Sequence, residues 1–172
     1  MTQAAISLGS NMGHRRAILA DAVARLAGIG RLCAVSPLYE TAPVGPVDQD
    51  RFYNAVAVVE TDLDPGTLVA CLLAIEQQLG RLRELHQGPR TIDLDLILHG
   101  DSVVHSALVS VPHPRYRERR FVLEPLVAVW PEARDPDGTR VSDLLARVAG
   151  QDVRMIEDPE WNAYQIDERR LR

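Results

Sequence analysis

The stretch Ile92-Asp93-Leu94-Asp95-Leu96-Ile97-Leu98-His99 alternates with a period of two, the mark of a strand. That period sends Ile92, Leu94, Leu96 and Leu98 into a core and sets Asp93, Asp95, Ile97 and His99 on the opposite face. Upstream, Leu68, Leu72, Ile75 and Leu79 form one helical stripe, started by Asp62-Leu63-Asp64-Pro65 and ended by Gly80. Before it, residues 55–61 and 32–40 read as strands, separated by a loop over 41–50 that carries Pro43, Gly45 and Pro46. A first helix places Ile18, Leu19, Ala22, Val23 and Leu26 on one face between the strand at 4–8 and Gly28 with Gly30. Downstream, Val103-Val104 is expected to pair with 108–111 as a small hairpin, followed by short helices, one over 141–148, and a polar tail. Strand, helix, strand, strand, helix, strand is the order of a split βαβ unit, an α+β sandwich with an antiparallel or mixed sheet and helices packed on one face.

A chain of 172 residues, 46% hydrophobic, is long enough for one core, and a single domain over 1–172 is expected. The N-terminus lacks the pattern of a signal peptide, and no apolar run reaches the roughly 20 residues that span a bilayer, so the cytoplasm is the expected location. A formal net charge of −5 argues against nucleic-acid or anionic-membrane binding. Cys33 and Cys71 lie among apolar neighbours and read as free thiols. All 19 basic residues are arginine, so a Gly-Lys-Ser/Thr phosphate loop is excluded, and phosphate recognition falls to arginine, backbone amides or metal.

Two carboxylates two residues apart on a strand lie about 7 Å apart at the backbone and can converge on a magnesium site. Taken alone, Asp93-x-Asp95 is a common pattern and is better explained by two solvated aspartates. Arg90 precedes the strand behind Gly88-Pro89, and a second cluster, His113, Arg115, Arg117, Arg119 and Arg120, has the density that suits a polyphosphate. Glu76 lies at the border of the helical stripe, able to accept hydrogen bonds from a ligand or an arginine. Gly9-Ser10-Asn11 reads as a helix-start turn with an Asn cap or as a phosphate contact, and Phe52 and Asn54 offer an aromatic face and an amide to a planar heterocycle.

In this order and spacing, Leu8-Gly-Ser-Asn, Thr41-Ala-Pro-Val-Gly-Pro, Asn54-Ala, Gly80-Arg-Leu-Arg83, Gly88-Pro-Arg-Thr-Ile-Asp-Leu-Asp95 and Val111-Pro-His-Pro-Arg resemble the 6-hydroxymethyl-7,8-dihydropterin pyrophosphokinase family over residues 4–136. The resemblance implies a ferredoxin-like sandwich with mobile loops, ATP and two magnesium ions, and transfer of pyrophosphate from ATP to the pterin with release of AMP in folate synthesis. It implies that Asp93 and Asp95 bind metal, with Arg83, Arg90 and Arg119 joining them as catalytic residues. It further implies that Thr41, Pro43, Val44, Phe52, Asn54 and Phe121 bind the pterin. Glu76, Arg83, Arg90, Leu96, Ser110, His113 and Arg119 fall on its nucleotide side, where Arg90 and His113 are expected to neutralise the triphosphate. His86-Gln87 stands where the family usually has Arg-Trp, and Thr41-Ala42-Pro43 where it usually has two prolines. ATP and the reduced pterin are then the only partners, bound by a monomer. Two competitors remain from the residues alone: a non-catalytic nucleotide- or metal-binding module of the same fold, and another two-metal enzyme such as a nucleotidyltransferase.

Overall fold

The apolar run Ala4, Ala5, Ile6 and Leu8 lies in β1 (Thr2–Ser10), which pairs antiparallel with β4 (Phe52–Thr61) on one side and β5 (Asp93–His99) on the other. The computed structural model describes residues 1–43, 48–80 and 91–162. Beyond β4 lies β3 (Leu38–Thr41), and beyond that β8 (Val153–Ile156), giving the order β5-β1-β4-β3-β8, while β2 (Arg31–Val35) also pairs with β4. Every pairing in this sheet is antiparallel. The expected hairpin is present as a two-stranded ribbon of β6 (Val104–His105) and β7 (Ser110–Val111). No helix among the described residues is long and apolar enough to cross a membrane.

Helix α1 (Arg15–Leu26) buries Leu19, Ala22, Val23 and Leu26. Helix α2 (Pro65–Gln78) starts where Asp64 accepts the Thr67 N–H at 3.1 Å and Pro65 presets the first turn. Both helices cover the sheet face made by Ile6, Leu8, Ala57, Val59, Leu94 and Leu96. The opposite face, with Ala5, Val56, Ile97 and Leu98, packs on α3 (Arg120–Val129) and α4 (Val141–Arg147) through Val122, Leu123, Leu126, Val141 and Leu144. Helices therefore lie on both faces, not one, because the central strands are apolar on both sides.

Three local features depart from the sequence reading. The strand expected over 32–40 is broken at Ser36-Pro37, where Pro37 has no N–H for the ladder. At the break the Ser36 hydroxyl accepts the Val56 N–H at 2.9 Å and donates to the Pro37 carbonyl at 2.7 Å. The polar tail contains β8 and the short helix α5 (Pro159–Asn162), whose Trp161 is fully buried and donates its indole N–H to the Ser36 carbonyl at 2.9 Å. Finally, β5 is bulged: Ala5 faces Leu98 but the next residue, Ile6, faces Leu96, leaving Ile97 as the extra residue. The bulge resets the alternation. Leu98 joins Ile97 in the α3 core, and His99 turns to the other side, its Nε2 2.9 Å from the Leu63 carbonyl.

Candidate active site

Asp93 and Asp95 precede the bulge and keep the shared face that their spacing predicts. The register sets Asp93 opposite Gly9, Gly9 opposite Asn54, and Asn54 opposite Tyr39, a row across four strands; Asp95 sits opposite Ser7. With strands about 4.8 Å apart, Asp93 and Asn54 are about 10 Å apart at the backbone. Between them Gly9 leaves bare backbone, since a Cβ there would lie 3.2 Å from the Asn54 Oδ1 and 3.8 Å from the Phe52 ring. Gly9 was missed as a side-chain-free floor, although a glycine inside a strand signals a close approach of this kind. Asn54 is buried, and its Nδ2 donates to the Thr41 hydroxyl at 2.8 Å. Thr41 pairs with Phe52. Pro43, half-buried, follows β3, and Phe121 lies in the first turn of α3 with the Arg119 guanidinium 5.5 Å from its ring centre. Val44 lies outside the described residues, as do Arg83, Arg90 and the His86-Gln87 pair.

On the other side of Asp95 a cavity of about 210 Å³ is lined by Glu76, Leu96, Ser110 and His113, four of the residues expected around the nucleotide. Glu76 is buried rather than at the border: its Oε1 accepts the Leu94 N–H at 2.7 Å. Since β5 is the sheet edge, this carboxylate satisfies an outward-facing backbone donor and fixes the strand that carries both aspartates.

His113 reaches the same place through the bulge, its backbone N–H donating to the Ile97 carbonyl at 3.0 Å. Its Nδ1 accepts the Arg115 N–H at 3.2 Å, so the ring proton sits on Nε2, 4.0 Å from an Asp95 oxygen. Burial, and then the charge of Arg119, push the His113 pKa down to about 4, with Asp93 opposing and Arg115 reinforcing. With these neighbours His113 is a neutral N–H donor at neutral pH.

The arginine cluster divides. Arg117 is taken by Asp135 at 2.5 Å, and Arg120 by Glu124 at 2.6 Å together with the Ala149 and Gln151 carbonyls. Arg119, half-buried, stays by the aspartates: burial and Arg115 lower its pKa while Asp95 and Asp93 raise it, and the guanidinium keeps its charge. Asn11 is not a helix cap, for α1 starts at Arg15; its Nδ2 donates to Gln49 Oε1 at 2.7 Å and to the Asp50 carbonyl at 3.0 Å, tethering the segment before β4.

Asp135 is itself buried; burial raises its pKa, but hydrogen bonds from Arg117, Tyr116 and the Asp137 N–H outweigh this and hold it below the ordinary carboxylate value. A depressed folded pKa contributes stability that is fully present above the unfolded value, about 3.9, and lost as pH falls through the folded one. Urea melts from pH 6 to pH 3 should therefore show the advantage of the native protein over Asp135→Asn shrinking steadily below about pH 4. A constant difference across that range would contradict the ionised, bonded state.

Residues 5–131 match the family described as 7,8-dihydro-6-hydroxymethylpterin-pyrophosphokinase (HPPK). A 2-amino-4-hydroxy-6-hydroxymethyldihydropteridine pyrophosphokinase from Pseudomonas aeruginosa is 45% identical over 144 residues, covering 82% of this chain and 88% of that protein. The Folic acid synthesis protein fol1 of Pneumocystis carinii is 37% identical over 153 residues, 88% of this chain but only 21% of that longer protein. Among solved structures, Plasmodium falciparum HPPK-DHPS aligns with a TM-score of 0.67 at 17% identity over 87% of this chain and 44% of that one, a likeness of fold. On the family match and the 45% identity together, the chain belongs to the 7,8-dihydro-6-hydroxymethylpterin-pyrophosphokinase (HPPK) family.

Proposed function

We propose that this chain transfers the β,γ-pyrophosphoryl group of ATP to the hydroxymethyl oxygen of 6-hydroxymethyl-7,8-dihydropterin, a step of folate synthesis. The observation that supports the reading is the row from Asp93 across bare Gly9 to the buried amide of Asn54, a carboxylate and an amide on one sheet face as a phosphate-binding end and a heterocycle-reading end would require. Asn54, Thr41, Phe52, Pro43, Val44 and Phe121 hold the pterin. Glu76, Leu96, Ser110, His113, Arg119 and the loop residues Arg83 and Arg90 surround ATP. The pterin oxygen attacks the β-phosphorus in line, the bond from that phosphorus to the α–β bridging oxygen breaks, AMP leaves with the bridging oxygen, and the hydroxyl proton is lost. Little covalent chemistry is asked of the protein: positioning and electrostatics suffice. Arg119 places a permanent charge beside the phosphoryl oxygens, and the neutral His113 donates its Nε2 hydrogen.

Asp93 and Asp95 suit magnesium: both are half-exposed carboxylates, and His113 turns an N–H rather than a lone pair toward them, so the donors are hard oxygens. Two ions, held by these residues and the phosphates, would neutralise the triphosphate and orient it. The reading takes 1–172 as one domain acting as a monomer in the cytoplasm. It also takes the fold as ferredoxin-like, supported by the neighbour order β5-β1-β4-β3 with α1 and α2 on one face.

Incubation with ATP, magnesium and the hydroxymethyldihydropterin should yield AMP and the pterin diphosphate in equal amounts on chromatography; ADP, or no pterin-dependent turnover, would sink the assignment. Gly9→Ala forces Asn54 to give way by a few tenths of an ångström. Calorimetry should then show pterin affinity lowered roughly 3- to 10-fold, the worth of one hydrogen bond, with the affinity for an ATP analogue unchanged.

A further inference from the structure

We infer that Asp135 is a positioning residue for the nucleotide side of the site, acting through Tyr116 and Arg117 on His113 and Arg119. The inference rests on the proposed roles of those last two residues. Residues 116–118 form a single 3-10 turn with no side-chain cap, a conformation with little stability of its own. Yet its first residue is bonded to both functional neighbours: the Tyr116 N–H donates to the His113 carbonyl at 3.3 Å, and the Arg119 N–H donates to the Tyr116 carbonyl at 3.2 Å. Tyr116 thus links the two, His113 being held from its other side by the Ile97 carbonyl.

Tyr116 is fully buried in the α3–α4 core, and its hydroxyl donates to Asp135 Oδ1, the oxygen that also takes Arg117. Asp135 is held in turn by its own loop. Its N–H donates to the Thr139 carbonyl at 2.8 Å, its Oδ2 accepts the Asp137 N–H at 3.3 Å, and Gly138 turns the chain at φ 92°. The Ala133 carbonyl next to it accepts the Val141 N–H at 3.0 Å, tying the loop to α4. The carboxylate is thus a fixed point on the core side of the turn. Buried charge pairs of this kind contribute little net stability compared with well-packed apolar groups, and the better attested use of such a group is to fix register. Here what it fixes is the placement of the ring and the guanidinium over Asp93 and Asp95. The same contacts pull Arg117 out of the arginine cluster, leaving Arg119 and Arg115 as the described cations there.

The test compares Asp135→Asn, Tyr116→Phe and Arg119→Ala. Tyr116→Phe keeps the buried ring and the Arg117–Asp135 pair, so it should remain folded even where Asp135→Asn does not. Four quantities are read: thermal midpoint, affinity for a non-hydrolysable ATP analogue, affinity for the pterin alone, and single-turnover rate of the folded protein. For the two clamp variants a loss of about 10-fold in rate and in analogue affinity is expected, because small misplacements of positioning groups carry penalties of this size, with pterin affinity within twofold of native. Nitrogen NMR of the His113 ring should show the Nε2–H tautomer giving way to a mixture. A lowered thermal midpoint with unchanged rate, analogue affinity and ring signature would mean that the contact is merely structural and would overturn the inference. If Arg119→Ala is slow while both clamp variants are fast, the inference alone fails; if Arg119→Ala is itself unimpaired, the reading of the site falls and takes the inference with it.

Discussion

Asp95→Asn and Asp93→Asn should each lower AMP release by about 10²- to 10³-fold, the loss of roughly 3–4 kcal/mol of stabilisation of the developing phosphoryl charge. The fold should survive. Both side chains lie half-exposed on the sheet face before the bulge, outside either apolar core. Removing one of two neighbouring carboxylates relieves like-charge repulsion, so the thermal midpoint without magnesium should hold or rise, whereas added magnesium should stabilise the variants less than the native protein. Near-native turnover in either variant would remove the metal assignment from this pair.

Trp161→Ala should have the largest effect on stability. The indole is completely buried against residues of α1 and the central strands, and its N–H is the partner of the Ser36 carbonyl at the break between β2 and β3. Truncating a buried tryptophan costs about 3–5 kcal/mol, and the carbonyl left without its donor adds to this. For a chain of this size each kcal/mol moves the thermal midpoint about 2–4 °C, so a fall of about 6–20 °C is expected by calorimetry. A shift under 2 °C would mean that the tail packs only loosely. Arg16, which bridges α1 to Asp158 at 3.1 Å and Glu160 at 2.6 Å, is partly exposed and should contribute much less.

The common face of Asp93 and Asp95 was legible because a two-residue period is a local property, and the stripe of α2 was legible for the same reason. What the sequence hid depends on partners far along the chain. The bulge at Ile97 arises from the register against β1, which no inspection of 92–99 reveals. Trp161 sits among Asp, Pro, Glu and Asn, and its burial in the core and its bond to the Ser36 carbonyl depend on partners about 125 residues away in the chain. Arginine density in the sequence counts Arg117 and Arg120 with Arg119, because Asp135 and the Ala149 and Gln151 carbonyls that take them, beside the nearer Glu124, are 18 to 31 residues away. The burial and the Arg119 guanidinium that push the His113 pKa down exist only once the turn has closed, so they cannot be read from the residues beside it in the chain.

The bulge in β5 gives this strand two readings in one length. Before Ile97 its odd-numbered positions carry the two carboxylates; after it the phase is reversed, and Leu98 serves the core behind α3 while His99 anchors the start of α2. The hinge between the two phases is a main-chain carbonyl, that of Ile97, and it is this oxygen that holds the backbone of His113 beside Asp95. The arrangement is thus indifferent to which apolar side chain stands at 97 but intolerant of a change in count. Substitutions there leave the carbonyl in place, whereas deleting Ile97 would restore a regular ladder, with Leu98 still opposite Ala5 and His99 still opposite Ala4, and would take away the carbonyl that holds the histidine segment beside the carboxylates.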